Sequence, residues 1–315
     1  MSTRNRDNSA ERRPVQMLLI VTLIAYPLLQ GLTSFAAFDA RTTHTMNKAE
    51  YAMADTSGAG QDYQAGDIKV LAEGFHSKIT KPFVAVVRDA ETYAALIKLD
   101  ENLPKLDAEF FKENVAVAAF LGERNTGGYR VEILANGIEI SVLEKKPGKG
   151  VMVPQMITSP FRIVSVPVAG ERLLLSLDNA WHQHFHTYRV IRGTFTMSGG
   201  FAGKREQFEF SGEVQVWRER GLATFGFDLL SSDPARQRLL KGVATGLVQD
   251  DGAVRINRMA ADGFVNTPNG GLKAAGQFMS NQGLLSLIFS PGPSMIADGY
   301  EGQGSLEAAM RVAID

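Results

Sequence analysis

Short runs of alternating apolar and polar residues fill the chain from about residue 179 to the C-terminus. Such alternation is typical of β-strands that bury one face, and eight of these runs follow one another. Turn sequences such as Asp251-Gly252 separate most of them, and glycines inside the runs allow the strands to bend. We therefore predict an antiparallel β domain over residues 179–315, built as a meander barrel or a sandwich of about eight strands.

The segment 68–178 mixes strand and helix patterns. An apolar run over residues 81–89 predicts one strand. Residues 115–148 contain a fully apolar run, a glycine-containing turn and two alternating runs that meet at an Asn-Gly pair, which is a strong hairpin signal. Residues 157–178 add two further strands. An α+β domain is predicted here, so that the fold class is mainly β with an α+β first domain.

Three helices are predicted, each beginning after an aspartate that can act as N-cap. Asp89 precedes a run with apolar residues at helical spacing, and Asp107 precedes a short turn that carries two phenylalanines. Asp233, which is followed by proline, is predicted to cap a helix that ends before Gly242.

The N-terminus has the pattern of an export signal. An apolar run from Met17 to Leu29 is followed by Ser34-Phe35-Ala36, which offers small residues for cleavage. Basic residues precede the run: Arg4, Arg6, Arg12 and Arg13. We predict a signal peptide or an uncleaved membrane anchor over residues 1–38 and a flexible linker over 39–67. The remainder is expected to be exported to the periplasm or cell envelope, touching the membrane through the N-terminal segment alone.

Composition narrows the classes of function. The chain has 315 residues with 33 basic and 34 acidic side chains, a balance without the basic excess that nucleic-acid binding requires. It contains no cysteine, which excludes disulfides, thiol nucleophiles and thiolate metal sites. Any metal ion would need histidine and carboxylate ligands.

Three of the five histidines stand at every second position of Trp-His-Gln-His-Phe-His, residues 181–186. In a strand, His182, His184 and His186 would share one polar face. The opposite face would then be apolar, formed by Trp181, Phe185, Ile191, Phe195 and Met197.

The distances between these histidines along a strand limit which metal sites they can form. The outer two would stand about 13 Å apart along a strand, too far for three imidazoles to surround one zinc ion. Two neighbours, about 6.6 Å apart, could chelate a metal if an adjacent strand supplied a third ligand. The row is thus a weak metal candidate, a solvated face, a contact between domains, or a pH-responsive group whose members repel one another when protonated.

The sequence does not contain known enzyme motifs with the residue spacing that they require. The glycine-rich segments 199–205 and 299–304 match neither a phosphate loop nor a dinucleotide-binding turn, and neither GxSxG nor HExxH occurs. The sequence offers no convincing acid–base pair. We therefore predict a protein without catalytic residues or a cofactor.

The first folded segment carries a family resemblance. Phe110–Ile133, which includes Thr126-Gly127-Gly128-Tyr129, and Thr158–Pro167 resemble the C-terminal domain of the PrcB family, over about residues 70–177. Members of that family are accessory subunits of bacterial surface protease complexes. The resemblance implies a non-enzymatic role in the assembly or stability of an exported protease. This chain departs from the lipoprotein members because it has no lipobox cysteine, which excludes a lipid anchor.

Two interpretations of the glycine pair in this motif remain open. Gly127 and Gly128 permit positive φ or a bulge between paired strands, which would make the segment a structural turn. Alternatively it is a partner-docking loop, whose candidate interaction residues are Asn125, Thr126, Gly127, Gly128 and Tyr129.

These observations predict an exported, non-catalytic interaction protein whose partner is another exported protein, such as a protease. A β-barrel carrier of a small apolar ligand is the alternative, and a histidine/carboxylate metal-binding protein is a more distant one. A barrel filled by its own side chains, with an exposed apolar patch near the glycine motif, would favour the interaction protein. An apolar cavity would favour the carrier. The oligomeric state does not follow from the sequence.

Overall fold

A computed structural model of the chain describes residues 68–136, 139–167, 173–199, 204–232, 239–263, 272–290 and 303–313. The predicted signal peptide or anchor and the predicted linker lie outside these residues. No helix in the described part of the chain combines the length and the apolar character that a membrane span requires.

The first part of the described chain is an α+β structure, as the sequence predicts. Within it, four strands form an antiparallel sheet in the order β1-β6-β3-β2, and three form a second sheet in the order β4-β5-β7. The elements are β1 (Lys69–Gly74), β2 (Phe83–Val87), α1 (Ala90–Leu99), α2 (Phe110–Glu113), β3 (Asn114–Phe120), β4 (Arg130–Asn136), β5 (Glu139–Lys145), β6 (Phe161–Pro167) and β7 (Leu174–Leu177).

After Asn114, strand β3 is apolar because it is buried on both faces. Its residues alternate between two cores: Phe120 packs with the helices α1 and α2, whereas Val117 packs with the strands β4 and β5. The four-stranded sheet is therefore the middle layer, with helices on one face and the three-stranded sheet on the other.

The predicted cap at Asp89 is confirmed, whereas Asp107 caps the turn that precedes α2, whose own N-cap position is occupied by Glu109. The Asp89 carboxylate accepts a hydrogen bond from the Thr92 amide at 2.8 Å, and the Asp107 carboxylate accepts one from the Phe110 amide at 2.9 Å. The third predicted helix is wrong at its C-terminal end. Residues 233–238 lie outside the described part, but Leu239–Val248 form a strand, because pairing with the preceding strand overrides the local helix signal.

The second part of the chain is a closed barrel in which, among the described residues, eight strands each pair antiparallel with the next and the last pairs with the first. The predicted antiparallel barrel or sandwich of about eight strands is thus confirmed, as a barrel. Its strands are β8 (Phe185–Gly199), β9 (Lys204–Glu219), β10 (Leu222–Ser231), β11 (Leu239–Val248), β12 (Ala253–Gly263), β13 (Leu272–Met279), β14 (Leu284–Ser290) and β15 (Gly304–Val312).

Aromatic side chains pack together inside the barrel. Phe225 lies edge-on to Phe278 at a centroid separation of 5.4 Å, and Phe195 lies 5.2 Å from Phe289. All four rings are fully buried and belong to one apolar cluster that also includes residues from β9 and β15. Side chains of the barrel's own strands therefore occupy the interior along the described residues.

The outer face of the barrel covers an edge of the first part. Strand β2 ends the four-stranded sheet, and β10 and β11 lie against it. Ala223 and Phe225 point into the barrel, so Leu222 and Thr224 point outward by strand alternation, yet both are fully buried. Covering an edge strand in this way removes a template for aggregation. The predicted domain boundaries at residues 178 and 179 stay predictions.

Candidate interaction site

The predicted docking loop, residues 125–129, connects β3 to β4 and lies against the segment that leads into β6. The Gly127 amide donates to the Pro154 carbonyl at 2.9 Å, and the Thr158 hydroxyl donates to the Thr126 carbonyl at 3.1 Å. The glycine motif is therefore attached to a second loop, residues 148–157, which we name the Met152 loop.

The contact between the glycine motif and the Met152 loop requires a glycine at position 128. Its φ is +86°, and a Cβ atom at this position would lie 2.8 Å from Val153 Cγ1 and 3.0 Å from Pro147 Cβ. Because Val153 belongs to the Met152 loop and Pro147 directly precedes it, a larger side chain would separate the two loops. The structural-turn interpretation thus has a physical basis, and a docking role for the five candidate residues stays a prediction.

Arg124 fixes the geometry at the base of both loops. Its guanidinium binds the Glu144 carboxylate at 2.9 Å, donates to the Leu121 carbonyl at 2.7 Å, and lies 5.7 Å from the centre of the Tyr129 ring. Its backbone also pairs with Thr158 in both directions. Both ion-pair partners are largely buried, so the interaction is less screened by solvent than a surface pair. The sequence alone did not single out Arg124.

The Met152 loop exposes large apolar side chains. Met152 is 98% exposed, Ile157 65% and Val151 60%, and Met156 is also exposed. Exposed apolar groups that occur together mark interaction surfaces more often than scattered ones do. The sequence signal for this exposed surface is the largely apolar run Val-Met-Val-Pro-Gln-Met-Ile at 151–157, which lies outside every predicted strand until its last residue.

Phe75 lies beside this loop. Its carbonyl accepts a hydrogen bond from the Ser159 amide at 2.6 Å, and its exposed ring lies 5.9 Å from the guanidinium of Arg130. We define the Met152 surface by these exposed apolar side chains: Phe75, Val151, Met152, Met156 and Ile157.

Cations border the Met152 surface. Lys145 binds Glu132 at 2.7 Å, and Lys146 lies 3.4 Å from Glu144, which also binds Arg124. Lys149 is exposed and forms no ion pair with the described residues. Glu144 is shared by two cations, and Lys149 and Arg130 add two further positive charges. The border of the Met152 surface therefore has a net positive charge.

The structure contradicts the predicted histidine row. Residues Asn179–His182 form a short helix, α3, and Gln183 follows it as C-cap, so only His186 lies in a strand. His182, His184 and His186 are all exposed, and His182 Nε2 lies 2.9 Å from the Leu177 carbonyl oxygen. Among the described residues there is no group of three or more side chains placed to hold a metal ion.

Burial of Trp181 explains the helix. Its indole N–H donates to the Phe120 carbonyl at 3.0 Å, and its own carbonyl accepts from the Trp217 indole at 3.3 Å. Trp181 is fully buried between the first part and the barrel. A helical turn allows the ring to reach this position, which an extended strand continuous with β8 does not provide.

The predicted apolar face of β8 is also wrong in part. Tyr188 and Val190 point into the barrel, whereas Ile191 is exposed. The register shifts between Arg189 and Gly193, which marks a bulge that reverses the alternation, so that Phe195 points inward as predicted.

Comparison with known proteins shows a similarity over part of the chain. No curated protein and no solved structure gives a significant match. The family model described as PrcB C-terminal matches residues 115–167, which lie within the region of the predicted resemblance. The match includes the glycine motif, Arg124, the Met152 loop and β6, and it covers a segment of the chain that ends before the barrel. Residues 115–167 are therefore similar to the PrcB C-terminal family, which suggests a protease-associated accessory domain in this segment.

Proposed function

We propose that this protein is an exported, non-catalytic interaction protein that binds another exported protein through the Met152 surface, and so supports the stability or assembly of a secreted or surface protease or an envelope complex. The observation that carries this proposal is the nearly complete exposure of Met152 within a cluster of apolar side chains. This cluster lies inside the segment that matches the accessory family, apart from Phe75.

The rigidity of the underlying structure supports a binding role. The loop is attached through Gly127, Thr158 and the buried Arg124–Glu144 pair, so its exposed side chains are presented from a fixed base. A preorganised surface loses less conformational entropy on binding than a flexible one. Burial of these exposed apolar side chains against a partner would remove apolar surface from water and so favour the complex.

The interaction protein is favoured over the ligand carrier by the packing of the barrel. Phe195, Phe225, Phe278 and Phe289 contact one another or their neighbours inside it. A carrier needs an interior volume that its ligand can fill, and these rings occupy the space along the described strands.

Site-specific photocrosslinking in the cell of origin tests the proposal. A photoreactive amino acid at position 152 should give an adduct with one exported protein, identified by mass spectrometry. The same group at Ile288, an exposed residue on β14 of the barrel, serves as the matched control and should not give that adduct.

Two results would contradict the proposal. The same adducts at positions 152 and 288 would show that contact at Met152 is nonspecific. Adducts with cytoplasmic proteins alone would exclude both export and an envelope partner.

A further inference from the structure

We infer that the Met152 surface and the open edge of β4 together bind an extended segment of the partner, in which apolar and acidic residues alternate, by adding it as a strand to β4. This inference rests on the proposed function and specifies the chemistry of the partner.

The open edge is the first observation. In the described part of the chain, β4 pairs with β5 on one side and with no strand on the other. An unpaired strand edge presents backbone N–H and C=O groups that an extended peptide can pair with. Strand β5 pairs with β4 along its full length without a register shift, from Arg130 opposite Lys145 to Asn136 opposite Glu139. The backbone of β4 is therefore regular, and so is its open edge.

The side chains of β4 define what an added strand would carry. Val131 and Ile133 point into the core and are almost fully buried, whereas Arg130 and Leu134 are exposed on the opposite face. Alternate residues of an added strand would face the same two sides. Apolar residues would extend the core on one side, and an acidic residue would lie beside Arg130 on the other.

The Met152 loop lies where β4 begins. Gly127 and Gly128, just before β4, contact Pro154 and Val153 of that loop. A strand paired along the seven residues of β4 would extend for about 23 Å and reach the loop at the Arg130 end. Its terminal apolar residues would there meet Met152 and its neighbours, and Lys149 would attract its acidic residues.

The same surface charge would also suit an anionic lipid headgroup, but the open edge favours a polypeptide. Only a polypeptide offers backbone donors and acceptors at the spacing of a strand. Lipid contact would use the loop and leave the β4 edge without a function.

Labelled peptides and the full chain test the inference by fluorescence anisotropy. The probe is a ten-residue peptide in which valine and glutamate alternate. Two matched peptides replace glutamate by lysine, or carry N-methyl groups on alternate amides so that one edge cannot pair. The first peptide should bind saturably, and each of the others should bind at least tenfold more weakly.

Variants of the chain locate the peptide. The double variant Met152→Ser with Ile157→Ser, and separately Lys149→Glu, should each weaken the valine–glutamate peptide at least fivefold. The matched controls Ile288→Ser and Lys105→Glu, which change exposed residues elsewhere, should leave the affinity unchanged. A far-ultraviolet circular dichroism spectrum confirms that each variant is folded.

The outcomes separate this inference from the proposed function. Equal binding of the N-methylated peptide would exclude strand addition, and equal binding of the lysine peptide would exclude the acidic preference. Binding to vesicles of phosphatidylglycerol through Met152, without peptide binding, would replace the peptide by a lipid surface. If crosslinking at position 152 identifies an exported partner while the peptides fail, the interaction function stands and strand addition is wrong.

Discussion

The backbone amide of Val86 donates a buried hydrogen bond to the hydroxyl of Thr245, at 2.8 Å. Val86 lies on the edge strand β2, and Thr245 lies on the outer face of the barrel. Thr245 also shares a hydrogen bond of 2.8 Å with the hydroxyl of Thr224. Arg88 donates to the Val243 carbonyl at 2.8 Å nearby. The barrel thus satisfies backbone groups that a free sheet edge would present to water, and the two parts stabilise each other.

Substitution of Thr245 by valine should destabilise the protein by roughly 1–3 kcal/mol, because the Val86 amide would remain buried without its acceptor. Urea unfolding measures the change in the free energy of unfolding. Thr194→Val, at a half-buried position of β8, is the matched control and should change this free energy by less than about 0.5 kcal/mol. A Thr245 variant as stable as the control would show that the edge contact contributes nothing.

Both tryptophans of the chain lie at the junction between its two parts. Trp217 belongs to the barrel, and Trp181 belongs to the helical turn that precedes it. Because each is buried against the other part, we expect the two parts to unfold together. Tryptophan fluorescence and far-ultraviolet circular dichroism should then give the same urea midpoint. A fluorescence change at lower urea would mean that the parts separate before either unfolds.

Gly128→Ala should destabilise the Met152 loop, because a Cβ atom would collide with Val153 and Pro147 while φ is positive. Gly150 has a similar φ of +79°, but a Cβ atom there would have no neighbour within 4 Å, which makes Gly150→Ala the matched control. Both variants lose about 1 kcal/mol from the positive φ, and Gly128→Ala should lose at least about 1 kcal/mol more. Limited proteolysis should cleave the loop faster in Gly128→Ala. Equal cleavage in both would show that the two loops do not depend on the Gly128 contact.

Burial raises the pKa of Tyr93 to about 12 from its ordinary value of 10.0. Its hydroxyl donates to the Pro104 carbonyl at 2.6 Å. Between pH 10 and 12 the unfolded chain ionises at this tyrosine while the folded chain keeps the proton, so the free energy of unfolding should fall as the pH rises through this window. The loss from Tyr93 amounts to at most about 3 kcal/mol.

Tyr93→Phe provides the control for this window. The variant lacks the hydroxyl, so its stability should decline less between pH 10 and 12 than that of the wild type. Absorbance titration of tyrosinate should also lose the step near pH 12. A wild-type titration in which every tyrosine ionises near its ordinary value would contradict a buried, protonated Tyr93.

Hydrogen peroxide should oxidise Met152 before the buried methionines. Peroxide transfers an oxygen atom to the thioether sulfur and leaves as water, which requires access to the sulfur. Met152 is almost fully exposed, whereas Met259 and Met310 are buried in the barrel. Mass spectrometry of peptides after brief treatment measures the order. Because a sulfoxide is polar, oxidised protein should bind the valine–glutamate peptide more weakly. Oxidation of Met259 at the rate of Met152 would contradict the packing of the barrel.

Local patterns in the sequence were sufficient to predict much of the fold. Alternation of apolar and polar residues predicted the eight barrel strands, Asp89 predicted where α1 begins, and Asp107 predicted the turn that leads into α2. Strand β1 escaped prediction because Lys69–Gly74 lack a clear alternation and are only partly buried. The helix predicted after Asp233 failed at Leu239, where pairing with β10 decides the conformation.

The candidate site depended more on contacts between distant residues. The glycine motif was visible in the sequence, but its contact with Pro147 and Val153, and the ion pair between Arg124 and Glu144, join segments about twenty residues apart. The prediction of a histidine row was wrong because the burial of Trp181 against Phe120, sixty-one residues earlier, determines the local backbone conformation.

The sequence by itself determined which residues alternate, where helices begin and which residue types are absent, because these are local properties of the chain. Only the tertiary structure decided which faces are covered. Thr224 and Thr245 would be a polar outer face on an isolated barrel, yet they are buried because β2 lies against them. Met152 belongs to an apolar run that could have formed a core, yet it is exposed because the Gly127 and Thr158 contacts hold its loop outside. Exposure depends on which elements pack together, and that depends on the whole fold.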